Sequence, residues 1–261
     1  ACNNHNIVFT SCGTESDNRA IDIALSAARH SRKTSQGKLK YYTPHVVTCS
    51  IEHPAVLVYL QHLAYTGEIQ LSIVPVDGAG VVSADDVESA LSDDTAMVTI
   101  MHSNNEVGVL QPIEDIARRV HARKGHYIFV HTDAAQSLGK VPVNVRSLDV
   151  DLLTIVGHKF GAPKGVAALY INDRLSSTLD GGVKPLLHGG GQESGWRAGT
   201  ENTLLLAGLG EAARLAAVEL TVSSTPLHYD LYSACTSCAC SPTSLSFFSL
   251  SLSCGCARRL A

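Results

Sequence analysis

Gly157, His158 and Lys159 end the apolar run Leu152 to Val156, and the chain then turns through Gly161, Pro163 and Gly165. A lysine at a strand end, shielded by apolar neighbours, has its amine favoured because desolvation penalises the cation, and a free amine attacks an aldehyde. Upstream, the segment His131-Thr132-Asp133-Ala134-Ala135-Gln136 supplies a carboxylate, and Ser103-Asn104-Asn105-Glu106 supplies amides. Earlier still stand Glu52-His53, with a flat imidazole, and Cys12-Gly13-Thr14, a small-residue entry to a helical pattern and hence suited to a phosphate. A carboxylate to hold a pyridinium nitrogen, an amine for an aldehyde and a phosphate cradle are what pyridoxal 5′-phosphate requires. Each residue also has a plainer reading taken singly. Gly13-Thr14 can be a turn and a cap, His53 a surface residue, Asn104-Asn105 a turn, Asp133 a local cap and Lys159 a solvated strand end.

Elements must bring these residues together. Ile7 to Ser11, His45 to Ser50, Ile69 to Val76, Ala96 to His102, Tyr127 to Asp133, Leu152 to Val156 and Val166 to Ile171 read as strands. Between them, Ile21, Ala24, Leu25 and Ala28 recur at helical spacing, Pro54 opens a run to about Gly67, and a further helix runs from Pro112 to about Lys124. Ser83 with Asp86 reads as an N-cap followed by an acidic residue. Strand alternating with helix predicts an α/β fold, a mostly parallel sheet sandwiched by helices, and ligands of such sheets gather at the carboxyl ends of the strands. The residues above are the ends of successive strands.

At 261 residues with 17% charged residues and a net charge of −4, the chain has the core-forming capacity of a large domain and no polyanion-binding character, so nucleic acid is not an expected partner. Without an apolar run near the ~20 residues that span a bilayer, no membrane is expected either, and a cytoplasmic protein is the default. The chain does not begin with methionine, so an upstream portion is expected to be missing. Cys2, Cys12 and Cys49 are scattered, which suggests reduced thiols, whereas Cys235, Cys238, Cys240, Cys254 and Cys256 crowd a serine-rich end. The expected division is a cofactor-binding domain over 1–222 and a divergent, poorly ordered tail over 223–261. One C-x-x-C pair without a following histidine makes a zinc module there the weaker reading, and no metal is expected.

SCGTESDN (Ser11 to Asn18), SIEHPAV (Ser50 to Val56), MHSNNEVGVLQPI (Met101 to Ile113), HTDAAQSLGK (His131 to Lys140), GHKFGAPKGVAALYI (Gly157 to Ile171) and HGGGQESGWRAGTEN (His188 to Asn202) resemble, in order, the signature segments of the cysteine desulfurases and selenocysteine lyases. These are class V aminotransferase-fold enzymes, with the large domain of pyridoxal-phosphate fold type I. The resemblance implies that Lys159 holds pyridoxal phosphate, that Asp133 pairs with its ring nitrogen and that His53 stacks on the ring. It also implies that Gln136 and Asn105 bond the phenolic oxygen or position the substrate, that Gly13, Thr14 and His158 hold the phosphate, and that Thr200 reaches the phosphate of a neighbouring subunit in a homodimer. Val156 departs from the serine that many members carry, which puts one phosphate contact in doubt.

The implied reaction takes sulfur or selenium from L-cysteine or L-selenocysteine, an amino-acid substrate, and leaves L-alanine, with a sulfur or selenium acceptor protein as a further partner. The resemblance stops near Val222, before the family's small domain, nucleophilic cysteine and carboxylate-binding arginine. A truncated cofactor-binding protein without turnover, able to pair with a complete subunit, is therefore the alternative, and the helix from about Glu201 to Leu220 is expected to be partly uncovered.

Overall fold

The computed structural model describes residues 6–31, 42–178 and 185–222, and all of these but Val222 belong to one unit, Ala1–Thr221. The expected tail over 223–261 lies outside the described residues. Seven strands form one sheet: β1 (Ile7–Thr10), β2 (His45–Cys49), β3 (Gln70–Val74), β4 (Thr95–Thr99), β5 (Phe129–Asp133), β6 (Leu152–Val156) and β7 (Ala167–Ile171). Their order is β1-β7-β6-β5-β4-β2-β3. β6, β5, β4, β2 and β3 pair in parallel, and β7 runs against both of its neighbours. β1 to β6 therefore share one direction and end on one edge.

Among the described residues seven helices accompany the sheet: α1 (Gly13–Ser31), α2 (Pro54–Tyr65), α3 (Ala84–Ala90), α4 (Ile113–Ala122) and α5 (Val145–Leu148) lie between strands, and α6 (Asp173–Thr178) and α7 (Thr203–Val222) follow β7. Alternate strand residues feed two cores. Val46, Met97, Phe129 and Leu152 join Ile21, Ala24 and Leu25 of α1 and Leu60 of α2 on one face. Val47, Val98, Val130 and Leu153 join Val87 of α3 and Ile116, Ala117 and Val120 of α4 on the other. Strands covered on both faces are apolar at nearly every position, which is why they read as continuous runs.

Helix termini follow local chemistry. His53 caps α2 by accepting the Ala55 N–H on Nδ1 at 3.1 Å, with Pro54 at the first turn. Ser83 caps α3 by accepting the Asp86 N–H at 3.2 Å, as its spacing predicts. Among its described side chains α7 buries only Leu209 and Ala212, against Ala162 and Val166, while Leu204 is 83% exposed. Its partial cover agrees with the expectation.

The chain leaves β2 toward the edge strand β3 and returns through β4 on the other side of β2. Such a reversal opens a crevice at the carboxyl ends of the two central strands. His53 follows β2 and Met101 to Asn105 follow β4, so the crevice falls among residues with chemistry.

Candidate active site

One cavity of about 210 Å³ sits at that edge, and five turns supply its wall. Gly13 and Thr14 come from the start of α1, His53 from the cap of α2 and Asn105 from the turn after β4. Asp133 and Gln136 come from the end of β5, and His158 and Lys159 from the 3-10 turn that closes β6. Eight of the nine residues singled out in the sequence thus meet in one place. The ninth, Thr200, lines a separate surface cavity with Phe9, Ser11 and Arg197.

Lys159 departs from one expectation. It is exposed rather than shielded, because the 3-10 turn carries it past the apolar end of β6 to the cavity mouth. Asn104, not Asn105, holds the local turn: its Oδ1 accepts the N–H groups of Glu106 and Val107 at 2.8 and 2.9 Å, and its Nδ2 donates to the Ile51 carbonyl. Asn105 is left exposed at the cavity wall. Gln136 is half-buried, and its Oε1 accepts from Lys140 Nζ at 2.6 Å, so its amide N–H groups are free for another partner.

The floor is acidic and buried. Asp133 is 5% exposed and accepts the Ala135 N–H at 2.8 Å through Oδ1. Burial raises its pKa, and the Ala135 N–H, His53 and Lys159 only partly offset that. Glu52 lies alongside, with Oε1 accepting the Met101 N–H at 2.7 Å and the Cys49 thiol at 3.0 Å, and burial pushes it up to about 8. Cys49 is a free thiol, itself pushed up by burial and by Glu52.

Asp17, which the sequence reading passed over, also lines the cavity. A signal was available: Asp17 stands four residues after Gly13, one helical turn on along the same face. Cys12, Met101, Ser103, Ala135 and Val156 complete the wall. Val156 presses on the start of α1, where a Cβ on Gly13 would lie 2.6 Å from Val156 Cγ2.

The residues fit pyridoxal phosphate by the chemistry of their donor set. A long helix presents unpaired N–H groups beside the Thr14 hydroxyl for a phosphate, a buried acid stands ready for a cationic ring nitrogen, and an amine reaches the same space.

A mostly parallel open sheet with a lysine, an acid and a helix start around one cavity at its carboxyl edge is a ligand-binding α/β domain. Residues 1–227 match the family described as aminotransferase class-V, and the chain belongs to that family. It is 43% identical over 214 residues to a cysteine desulfurase of Trichormus azollae, covering 82% of this chain and 48% of that one. It is 42% identical over 225 residues to a selenocysteine lyase of Bos taurus, covering 81% and 51%. A solved structure titled NifS-like protein superposes with a TM-score of 0.72 at 38% identity, over 83% of this chain and 54% of the other. The chain spans about half the length of these relatives.

Proposed function

We propose that the cavity holds pyridoxal 5′-phosphate and that the chain removes sulfur or selenium from L-cysteine or L-selenocysteine, leaving L-alanine. The observation that carries this reading is the convergence of Lys159, Asp133 and His53 on one cavity with the start of α1. The relatives named cysteine desulfurase and selenocysteine lyase supply the substrate class.

The bound cofactor supplies an electron sink for charge that develops at the substrate's Cα. Lys159 is the amine that would hold it and, when free, the base that would take the substrate's Cα proton. Asp133 keeps a proton on the ring nitrogen, and its burial strengthens that ion pair. His53, its ring fixed by the Ala55 N–H, covers one face. Gln136, with its carbonyl tied to Lys140, would offer its amide donors to the phenolic oxygen, and Asn105 would position the substrate. Gly13, Thr14 and His158 hold the phosphate. Thr200, outside this cavity, serves the phosphate of a second copy, so the working unit is a homodimer with shared sites.

The overall step balances with a thiol acceptor: its sulfur bonds to the substrate's sulfur as the C–S bond breaks, giving alanine and a persulfide. The test is to load the purified chain with pyridoxal phosphate, add L-cysteine or L-selenocysteine with a small thiol, and measure alanine. Alanine formation that Lys159→Ala abolishes is expected. The absence of both a visible cofactor band and alanine above the Lys159→Ala background would overturn the proposal.

A further inference from the structure

The turn from β1 into α1 has two sides. Cys12, Gly13 and Thr14 line the Lys159 cavity, whereas Ser11 lines the separate cavity that holds Arg197 and Thr200. Glu15, in the first turn of α1, folds its carboxylate back to Ser11: Oε2 accepts the Ser11 N–H at 2.8 Å and the Ser11 hydroxyl as well. Arg197 grips the same carboxylate with two bonds, Nε to Oε1 at 2.9 Å and Nη2 to Oε2 at 3.3 Å. The pair is mostly buried, with 20% of the Arg197 side chain and 10% of the Glu15 side chain exposed.

These contacts keep Glu15 ionised. Burial opposes the anion, but the hydrogen bonds from Arg197 and Ser11 outweigh burial and hold the carboxyl below its ordinary value. An anion at that point competes with a phosphate ligand. The positive end of the α1 dipole attracts either one, and a carboxylate in the first turn repels a phosphate at the same helix start where burial leaves little screening. A bidentate arginine cancels the charge in place, because its planar fork matches both oxygens and it stays protonated.

The segment before α7 delivers Arg197 to this position, and it is pinned to β1 and α1 on either side. Glu193 Oε2 accepts the Phe9 N–H at 2.8 Å, and Arg19 Nη2 donates to the Trp196 carbonyl at 3.3 Å. Glu193 and Ser194 hold left-handed backbone, with φ of 50° and 54°, which residues other than glycine keep only where their surroundings fix it.

We propose that Arg197 is a positioning residue for the phosphate of the ligand: it acts through Glu15, neutralising that carboxylate so that the start of α1 presents its positive end to a phosphate ester. The identity of the ligand rests on the reading under Proposed function, whereas the ion pair belongs to the cofactor-free chain.

The experiment compares the affinity for pyridoxal 5′-phosphate with that for pyridoxal, which lacks the phosphate. It uses the unaltered chain, Arg197→Gln, Arg197→Lys, Glu15→Gln and the double variant Arg197→Gln with Glu15→Gln. Arg197→Gln should weaken pyridoxal-phosphate binding about tenfold, the effect of one uncompensated like charge in partly buried surroundings, and leave pyridoxal binding unchanged. Arg197→Lys, Glu15→Gln and the double variant should each stay within about twofold of the unaltered chain or bind more tightly, since none of them leaves a bare anion beside the helix start. A double variant as weak as Arg197→Gln would show that the pair serves as a clip and not through its charge. An equal loss for pyridoxal would show a general disturbance of the cavity. Either result, or unchanged pyridoxal-phosphate affinity in Arg197→Gln, overturns this proposal and leaves the reading of the cavity standing.

Thermal denaturation of the same chains without cofactor tests the ion pair by itself. The losses in Arg197→Gln and Glu15→Gln should not add in the double variant, and simple additivity would remove the pair on which the proposal stands. An unaltered chain that binds neither compound sinks the reading under Proposed function, and the role of Arg197 toward a phosphate falls with it.

Discussion

At Gly13 an added methyl has no room, since Val156 Cγ2 would stand 2.6 Å from it. Gly13→Ala is expected to cost about 1–3 kcal/mol through overpacking. Adding Val156→Ala should recover most of that loss, because it removes the clashing atom. Thermal denaturation of the two single variants and the double variant measures this, and simple additivity would show that the two residues do not press on each other. Glu52 carries a different consequence. Its folded pKa, about 8, lies above the ordinary 4.5, so between those values the folded chain holds a proton that the unfolded chain releases. Stability should fall with rising pH over that window, by about 1.4 kcal/mol per unit from this group, and level off above it. Glu52→Gln keeps an acceptor for Cys49 and Met101 and should flatten that part of the curve. Denaturant titrations across the window check this, and an equally steep decline in the variant would assign the proton elsewhere.

The elements are held at the opposite edge of the sheet by a polar knot. His121 at the end of α4 places Nδ1 3.0 Å from Asp149 and Nε2 3.3 Å from the fully buried Asp151. Tyr127 donates to Asp151 at 2.8 Å, and Arg174 of α6 pairs with Asp149 at 2.9 Å. Burial disfavours the His121 cation, but the hydrogen bonds to Asp151 and Asp149 outweigh burial and its pKa is raised. A raised histidine stabilises fully below its unfolded pKa of about 6.5 and loses that contribution as pH climbs through the folded value. His121→Gln should therefore destabilise more at pH 5.5 than at pH 8.5, with cofactor affinity unaffected. A difference that is the same at both values would remove the charge from the argument.

This knot was not legible in the sequence, because its members are spread from α4 to α6 and no local spacing links them. The seven strands were legible, since burial on both faces makes β6 and β7 near-continuous apolar runs and even the less covered β1 and β3 keep several apolar residues. The reversed direction of β7 was not, because an antiparallel strand buried on both faces has the same composition as a parallel one. Short α5 and α6 left no periodic signal. Within the site, strand-end residues such as Asp133 and Lys159 stood out because the sheet's edge collects them. Asp17 did not, hidden inside a helix whose periodicity explained it as packing.

At the scale of the molecule, the proposed site exists only when the sheet is complete, because Gly13, His53, Asp133 and Lys159 come from strands distributed across most of the domain. Chemistry at Lys159 is then a property of the fold, and other lysines nearby serve as internal controls. Lys140 is tied to Gln136, and Lys164 lies in the turn before β7. The most direct measurement is to load the folded chain with pyridoxal phosphate, reduce it with borohydride and locate the added mass by peptide mass spectrometry. The account predicts stoichiometric label on the peptide carrying Lys159, lost when the chain is unfolded before loading. Label on Lys140 or Lys164 in place of Lys159, or the same scattered labelling in folded and unfolded chains, would contradict it.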